Sequence, residues 1–216
     1  GYNRPFAKAT RLLSSYLPAV SGPYTIQCFI AGHALGPDHW YLDPREGTRI
    51  CGNVGHWLDF VTHVLSHSDL ADKWDINLLC ADPELRDENL SISMRSDKGD
   101  LVNLTFTARA EPFDGINESI SIQSGKLMAK IDDFKSIKIW NGSSYKCHSF
   151  WPKDVGHYDS ICQMLDDKPV YKRPLSEVYM STMLMLHITD MVKGDVDNST
   201  FSFQDSMNEV QRIAHA

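Results

Sequence analysis

Leu90-Ser91-Ile92-Ser93-Met94-Arg95, then Asp97-Lys98-Gly99-Asp100, then Leu101-Val102-Asn103-Leu104-Thr105-Phe106-Thr107-Ala108 is the stretch whose reading decides the fold class. Two β-rich runs flank a cluster of turn formers, the pattern of two antiparallel strands that share a buried face. Four more runs of this kind lie nearby, at 75–80, 119–123, 126–131 and 136–140, with Ser124-Gly125 and Asp132-Asp133 as turns between them. Strands that follow at such short spacing pair antiparallel, because parallel neighbours need a long crossover. Helix patterns lie on both sides of the strands. Residues 3–17 carry an apolar stripe of Phe6, Ala9, Leu12, Leu13 and Tyr16, with Asn3 as cap and Pro5 in the first turn. Residues 24–31 read as a strand and 32–48 as a long loop of Gly, Pro, Asp and His. Residues 49–66 form a helix with Ile50, Val54, Trp57, Leu58, Val61 and Leu65 on one face. Helices return at 155–165, at 176–192 with Ser176 as N-cap, and in a short tail at 207–214. The expected fold is α+β, with one large, mostly antiparallel sheet of at least about five strands and helices on one face.

The chain of 216 residues suits a single domain able to bury a core without disulfides or a structural metal. Its net charge of -7, with Lys and Arg scattered, argues against a nucleic-acid partner, which would call for a basic stripe. No apolar run reaches the length of about 18 residues that a membrane span needs. The five cysteines include no CxxC pair and read as reduced, buried thiols of a cytoplasmic protein. There is no initiator Met, and a helix pattern begins almost at once, so Gly1 reads as a cut end. Neither a GxGxxG fingerprint nor a P-loop occurs, so the chain has no usual means of cradling a dinucleotide pyrophosphate.

The helix beginning at Arg49 holds the best candidates for chemistry. Arg49, Asn53 and His56 stand at i, i+4 and i+7 and share a face roughly opposite the centre of the apolar stripe. The loop that feeds this helix contains His39, Trp40 and Asp43. A histidine there can move a proton near neutral pH, although spacing alone favours a satisfied, half-buried side chain. His63 and His67 stand at i, i+4 but lack the Glu of an HExxH motif and an evident third ligand, so they read as a solvated helix end, and no metal is expected. Cys147 and His148 are adjacent on a strand and diverge, whereas Met180, Met183, Met185 and Met191 read as helix core.

Several segments, in order, resemble a known family. Gly1-Tyr2-Asn3-Arg4-Pro5-Phe6-Ala7 resembles "GYNRRF", and His39-Trp40 with Asp43-Pro44 resembles "HW…DP". The run from Gly47-Thr48-Arg49-Ile50 through Gly55-His56-Trp57-Leu58-Asp59 resembles "GGRIIGEVCHFID". Residues 113–134, Gly156-His157 and 174–182 match later segments. The ordered set is similar to the C-terminal domain of Gfo/Idh/MocA oxidoreductases, closest to the branch linked to nucleotide-sugar or polysaccharide-related sugars.

The resemblance implies a dihydrodipicolinate-reductase-like domain. Residues 1–216 would be a single substrate-binding and dimerisation domain, with the N-terminal Rossmann domain absent from the chain. It implies hydride transfer between a sugar or nucleotide-sugar and NAD or NADP in the full-length protein, with no cofactor held by this chain alone. His56 would be the catalytic histidine, and Asn3, Arg4, Trp40, Arg49 and Asn53 would contact substrate. The cleft would form between His56 and the 32–48 loop, and a homodimer would form through the sheet. Pro5, Thr48 and Asn53 depart from the motifs, standing where the family has Arg, Gly and an acidic residue, and Gly52 stands where other branches carry Asp. These departures keep open a second expectation, a non-catalytic sugar-binding or dimerising module of the same fold.

Overall fold

The computed structural model describes residues 2–36, 38–46, 48–110, 115–165 and 173–214; Gly1, Gly47 and Phe113, which the motifs include, lie outside them. Nine strands among the described residues make one sheet. They are β1 (Thr25–His33), β2 (Lys73–Cys80), β3 (Asn89–Ser96), β4 (Leu101–Ala110), β5 (Asn117–Ser124), β6 (Leu127–Asp132), β7 (Ser136–Asn141), β8 (Ser144–Ser149) and β9 (Asn198–Ser202). Their order is β8-β7-β6-β5-β1-β4-β3-β2-β9. β1 runs parallel to β4 and every other pairing is antiparallel, so the sheet is mixed but mostly antiparallel, as the strand spacing predicts. The departure from a plain meander is β1, which inserts between β5 and β4. β8 and β9 add edges that the sequence reading does not contain. Every β8 residue is exposed, so no buried face imposes a hydrophobic alternation on it.

Register explains the single buried face. Ile26, Cys28 and Ile30 of β1 stand opposite Val102, Leu104 and Phe106 of β4, and Cys28 stands opposite Ile120 of β5. All seven are buried. Because side chains alternate across a strand, in-register pairing puts every buried residue on one side. Against it lies α2 (Gly55–Leu65), in which every residue except His56 is buried. A helix buried on nearly all sides needs a second cover. α4 (Leu175–Lys193) supplies it, packing on α2 and burying Met180, Leu184 and Ile188. α1 (Lys8–Ser14), α3 (His157–Leu165) and α5 (Phe203–Ala214) complete the helices of the described residues.

Several expectations change. The first helix is broken into a 3-10 turn (Arg4–Phe6), α1 and a second 3-10 turn (Leu17–Ala19), with Ala7 extended between the first two. Asn3 makes no cap; its Nδ2 donates to Val155 O at 2.6 Å. Gly156 enforces the break. It has φ +89°, and a Cβ there would lie 2.3 Å from Asn3 O and 2.5 Å from Ala7 N, so only glycine lets the two backbones touch. The N-cap of α4 is Pro174, with no side-chain cap bond from Ser176. Cys28 is buried as expected, but Cys147 and Cys162 are exposed and Cys51 and Cys80 are half-buried; all five are free. Asp133 and Phe134 both take positive φ, and Lys135 N–H closes on Asp132 O at 2.9 Å, a hairpin turn whose twist matches that of the flanking strands.

His63 is not solvated. It is 1% exposed and belongs to a buried ionic cluster that joins α2 to the start of α4. Arg173 donates to both carboxylate oxygens of Asp59, at 3.0 and 2.8 Å, and also pairs with Glu177. Glu177 in turn faces His63 Nδ1 at 3.2 Å and accepts from Ser66 Oγ at 2.8 Å. Ser181 Oγ donates to Asp59 Oδ1 at 2.9 Å. Six polar residues on and beside the facing ends of two helices are thus satisfied by one another.

Candidate functional site

The site is built where β1 ends. Pairing with β4 slips between Ala31 and His33, a bulge that turns the strand end aside. The loop that follows makes a 3-10 turn (Trp40–Leu42), capped by His39, whose Nδ1 accepts the Tyr41 N–H at 3.2 Å. Trp40, the first residue of this turn, is 57% exposed. The loop then meets the helix through Thr48 at φ +64°, a left-handed conformation that glycine takes freely and a β-branched residue does not. This is the position where the sequence motif has glycine.

The helix then opens into a π turn (Ile50–Val54) before α2 begins, a feature frequent at functional sites. Two tyrosines bond carbonyls of this turn. Tyr2 Oη donates to Cys51 O at 3.0 Å and Tyr41 Oη donates to Gly52 O at 3.2 Å. Both rings lie where a Cβ would stand: 2.6 Å from Tyr41 at Gly52, and 2.2 Å from the Tyr2 hydroxyl at Gly55. The two glycines are therefore the seats of the two rings.

A cleft of about 230 Å³ results. Its lining is Gly32, His33 and Leu35 from the end of β1, His39, Trp40 and Tyr41 from the loop, Arg49 and Asn53 from the helix start, and Ile116. The structure thus brings Trp40, Arg49 and Asn53 together at one cleft beside the loop. Arg49 is not on a solvated helix face, as its spacing implies. It is 2% exposed, with its guanidinium 5.1 Å from the Phe106 ring centre and Nη2 donating to His33 O at 2.9 Å. The π turn changes the helical phase, so spacing read at 3.6 residues per turn misplaces it.

His56, Asn3 and Arg4 do not line the cleft. The His56 ring packs edge-on against Tyr2, with centroids 4.9 Å apart, and its Nδ1 is buried without a partner. Burial first, then the positive charge of Arg4 and the neighbouring His157, lower its pKa from 6.5 to about 3, so the ring is neutral at ordinary pH. Arg4 is held by Glu118, with Nε and Nη2 bonding its two carboxylate oxygens at 3.1 and 2.9 Å. Trp57 Nε1 donates to the same carboxylate at 2.6 Å, and Glu118 is fully buried. Arg4 therefore anchors the first segment to β5, and Asn3 anchors it to Val155, beside the cleft lining rather than within it. Glu118 carries no sequence signal of its own, and Tyr2 is marked only as a member of the first motif. Tyr41 is adjacent to the noted Trp40, and His33 is marked only by ending a strand before a long loop.

Seven buried side-chain polar atoms among the described residues lack a hydrogen-bond partner, and four belong to Arg49 (Nε and Nη1), Asn53 (Oδ1) and His56 (Nδ1). Buried polar atoms are normally satisfied, so their concentration along one short stretch of helix singles out groups that a bound ligand or an ordered water would meet.

No family model matches the sequence, and a search of curated proteins also finds no match. Solved structures do match. A Gfo/Idh/MocA family oxidoreductase from Vibrio cholerae is similar with a TM-score of 0.59 and 16% identity, over 90% of this chain and 61% of that one. UDP-N-acetylglucosamine 3-dehydrogenase from Acidithiobacillus ferrooxidans gives a TM-score of 0.59 and 14% identity, over 90% and 59%. Levoglucosan dehydrogenase, solved with NADH and levoglucosan, gives 0.55 and 10%, over 88% and 54%. The chain spans about 60% of the length of the first two, and at these identities the likeness is one of fold.

Proposed function

We propose, from the premise that the chain has the fold of Gfo/Idh/MocA-type oxidoreductases, that it is the substrate-binding domain of an NAD(P)-dependent enzyme acting on a sugar or nucleotide-sugar. The observation that carries this is the cleft at the end of β1, with unsatisfied polar atoms on Arg49 and Asn53 and an exposed Trp40 at its rim. An aromatic face with a few convergent polar groups is what a sugar-sized ligand needs. The cleft also opens where β1 ends beside its parallel partner β4, the region where sheet proteins that contain parallel strands place ligands.

The residues present do not fit a nicotinamide dinucleotide. The sequence has no glycine-rich turn whose backbone N–H groups could hold the pyrophosphate, so such a cofactor would be bound by another domain. The work of this chain is to bind the sugar and orient it. His56, neutral and with a free Nδ1, can exchange a hydrogen bond with a substrate hydroxyl that reaches it past Tyr2. Its position outside the cleft lining favours the second reading, a binding module without catalysis. Kinetics of the protein that joins this chain to a dinucleotide-binding domain separates the two. His56→Ala should lower kcat by roughly 100-fold if His56 assists proton transfer. An unchanged kcat in a folded variant leaves His56 structural and favours the module.

A further inference from the structure

Resting on that reading, we propose that the cleft takes an uncharged, hydroxyl-bearing part of a sugar and rejects a carboxylate or phosphate, with Glu88 as the residue that sets this preference. A buried arginine in a sugar site first invites an anion. Its surroundings here argue otherwise. Glu88 Oε1 lies 3.7 Å from Arg49 Nη1, and Asp87 Oδ2 accepts the Arg49 backbone N–H at 3.0 Å. Glu88 therefore already faces the guanidinium, and Asp87 adds a second negative charge at the backbone of the same residue. A third anion would enter a site whose local charge is no longer positive, and like charges disfavour it.

The spacing matters as much as the charge. At 3.7 Å, Glu88 balances Arg49 without taking up its N–H groups, for Nε and Nη1 have no hydrogen-bond acceptor. Arg49 is 2% exposed, so those N–H groups are withheld from bulk water. Four residues on, along the same helix start, Asn53 Oδ1 is an acceptor without a donor. A hydroxyl both accepts and donates, and can satisfy either group; an ionised carboxylate or phosphate dianion only accepts, and would leave Asn53 Oδ1 facing an anion. The exposed Trp40 ring supplies a flat apolar surface for the C–H face of a pyranose.

The test is a titration of this chain at neutral pH with glucose, galactose and mannose, and with their three uronic acids, followed by the NMR shift of the Trp40 indole N–H. At least one neutral sugar should move that signal and bind roughly tenfold tighter than its uronate, about 1.4 kcal/mol. In Glu88→Gln, which keeps the side-chain shape at a partly exposed position, that ratio should fall to near one or invert. Uronates that bind the wild-type chain as tightly as the neutral sugars overturn the inference while leaving the sugar site standing. So does a ratio unchanged in Glu88→Gln. A Trp40 signal unmoved by all six compounds overturns the sugar-site reading, and the inference with it.

Discussion

Thr48 shows how one residue can hold strain at a site. Its φ of +64° is a conformation in which a β-branched side chain is crowded, yet its Oγ1 also accepts the Ile50 N–H at 3.3 Å where the helix begins. Asparagine tolerates the left-handed region better and keeps a side-chain acceptor. Thr48→Asn should therefore raise stability by about 1 kcal/mol, read as an increase in Tm by calorimetry. A lower Tm would mean that the threonine methyl packs against something of value. The strain lies directly before Arg49, so the same variant should leave the cleft's shape intact and Trp40 fluorescence unchanged.

Among the elements, the joint between α2 and α4 carries a cluster of buried charge. Burial pushes the Glu177 carboxyl up, but the His63 hydrogen bond, the charges of His63 and Arg173, and the Ser66 hydroxyl outweigh it and bring the pKa from 4.5 to about 2. A carboxylate with a depressed folded pKa stabilises the fold above its unfolded value. That stability is lost as pH falls from about 4.5 through about 2. The shift corresponds to on the order of 3 kcal/mol. Acid unfolding followed by circular dichroism should begin below pH 4.5 and, in Glu177→Gln, lose this part of its pH dependence. Arg173→Met should cost about 3–5 kcal/mol, because it strands Asp59 and Glu177 in the interior without their cation. A change under 1 kcal/mol, by denaturant titration, would mean that water reaches the cluster.

For the whole molecule the open face of the sheet is the remaining question. It presents Thr25, Gln27 and Asn103 around the exposed apolar side chains of Phe29, Leu79 and Leu101. Such a face is polar enough to meet water, so its exposure does not by itself demand a partner. The proposed homodimer through this face would cover Phe29 and Leu101 from both copies. Sedimentation equilibrium should show a reversible dimer that Phe29→Lys disrupts. A monomer at every concentration in the unaltered chain would remove the proposal.

The strands at the centre of the sheet were legible in the sequence because alternation is local: Val102, Leu104 and Phe106 carry the pattern of one buried face in their own spacing. So were the core stripe of α2 and the gathering of Trp40 and Arg49 around one loop. Three things were not. β1 pairs parallel with β4, a choice made by chain segments far apart. Gly156 breaks the first helix only because Asn3 and Ala7 press against it. Arg49 and His56, seven residues apart, part company because the π turn between them is held open by Tyr2 and Tyr41. Periodicity reports which face of an element is buried; which partner covers it, which backbone meets it and which buried polar atom goes unsatisfied depend on contacts between distant residues, and those exist only once the chain has folded.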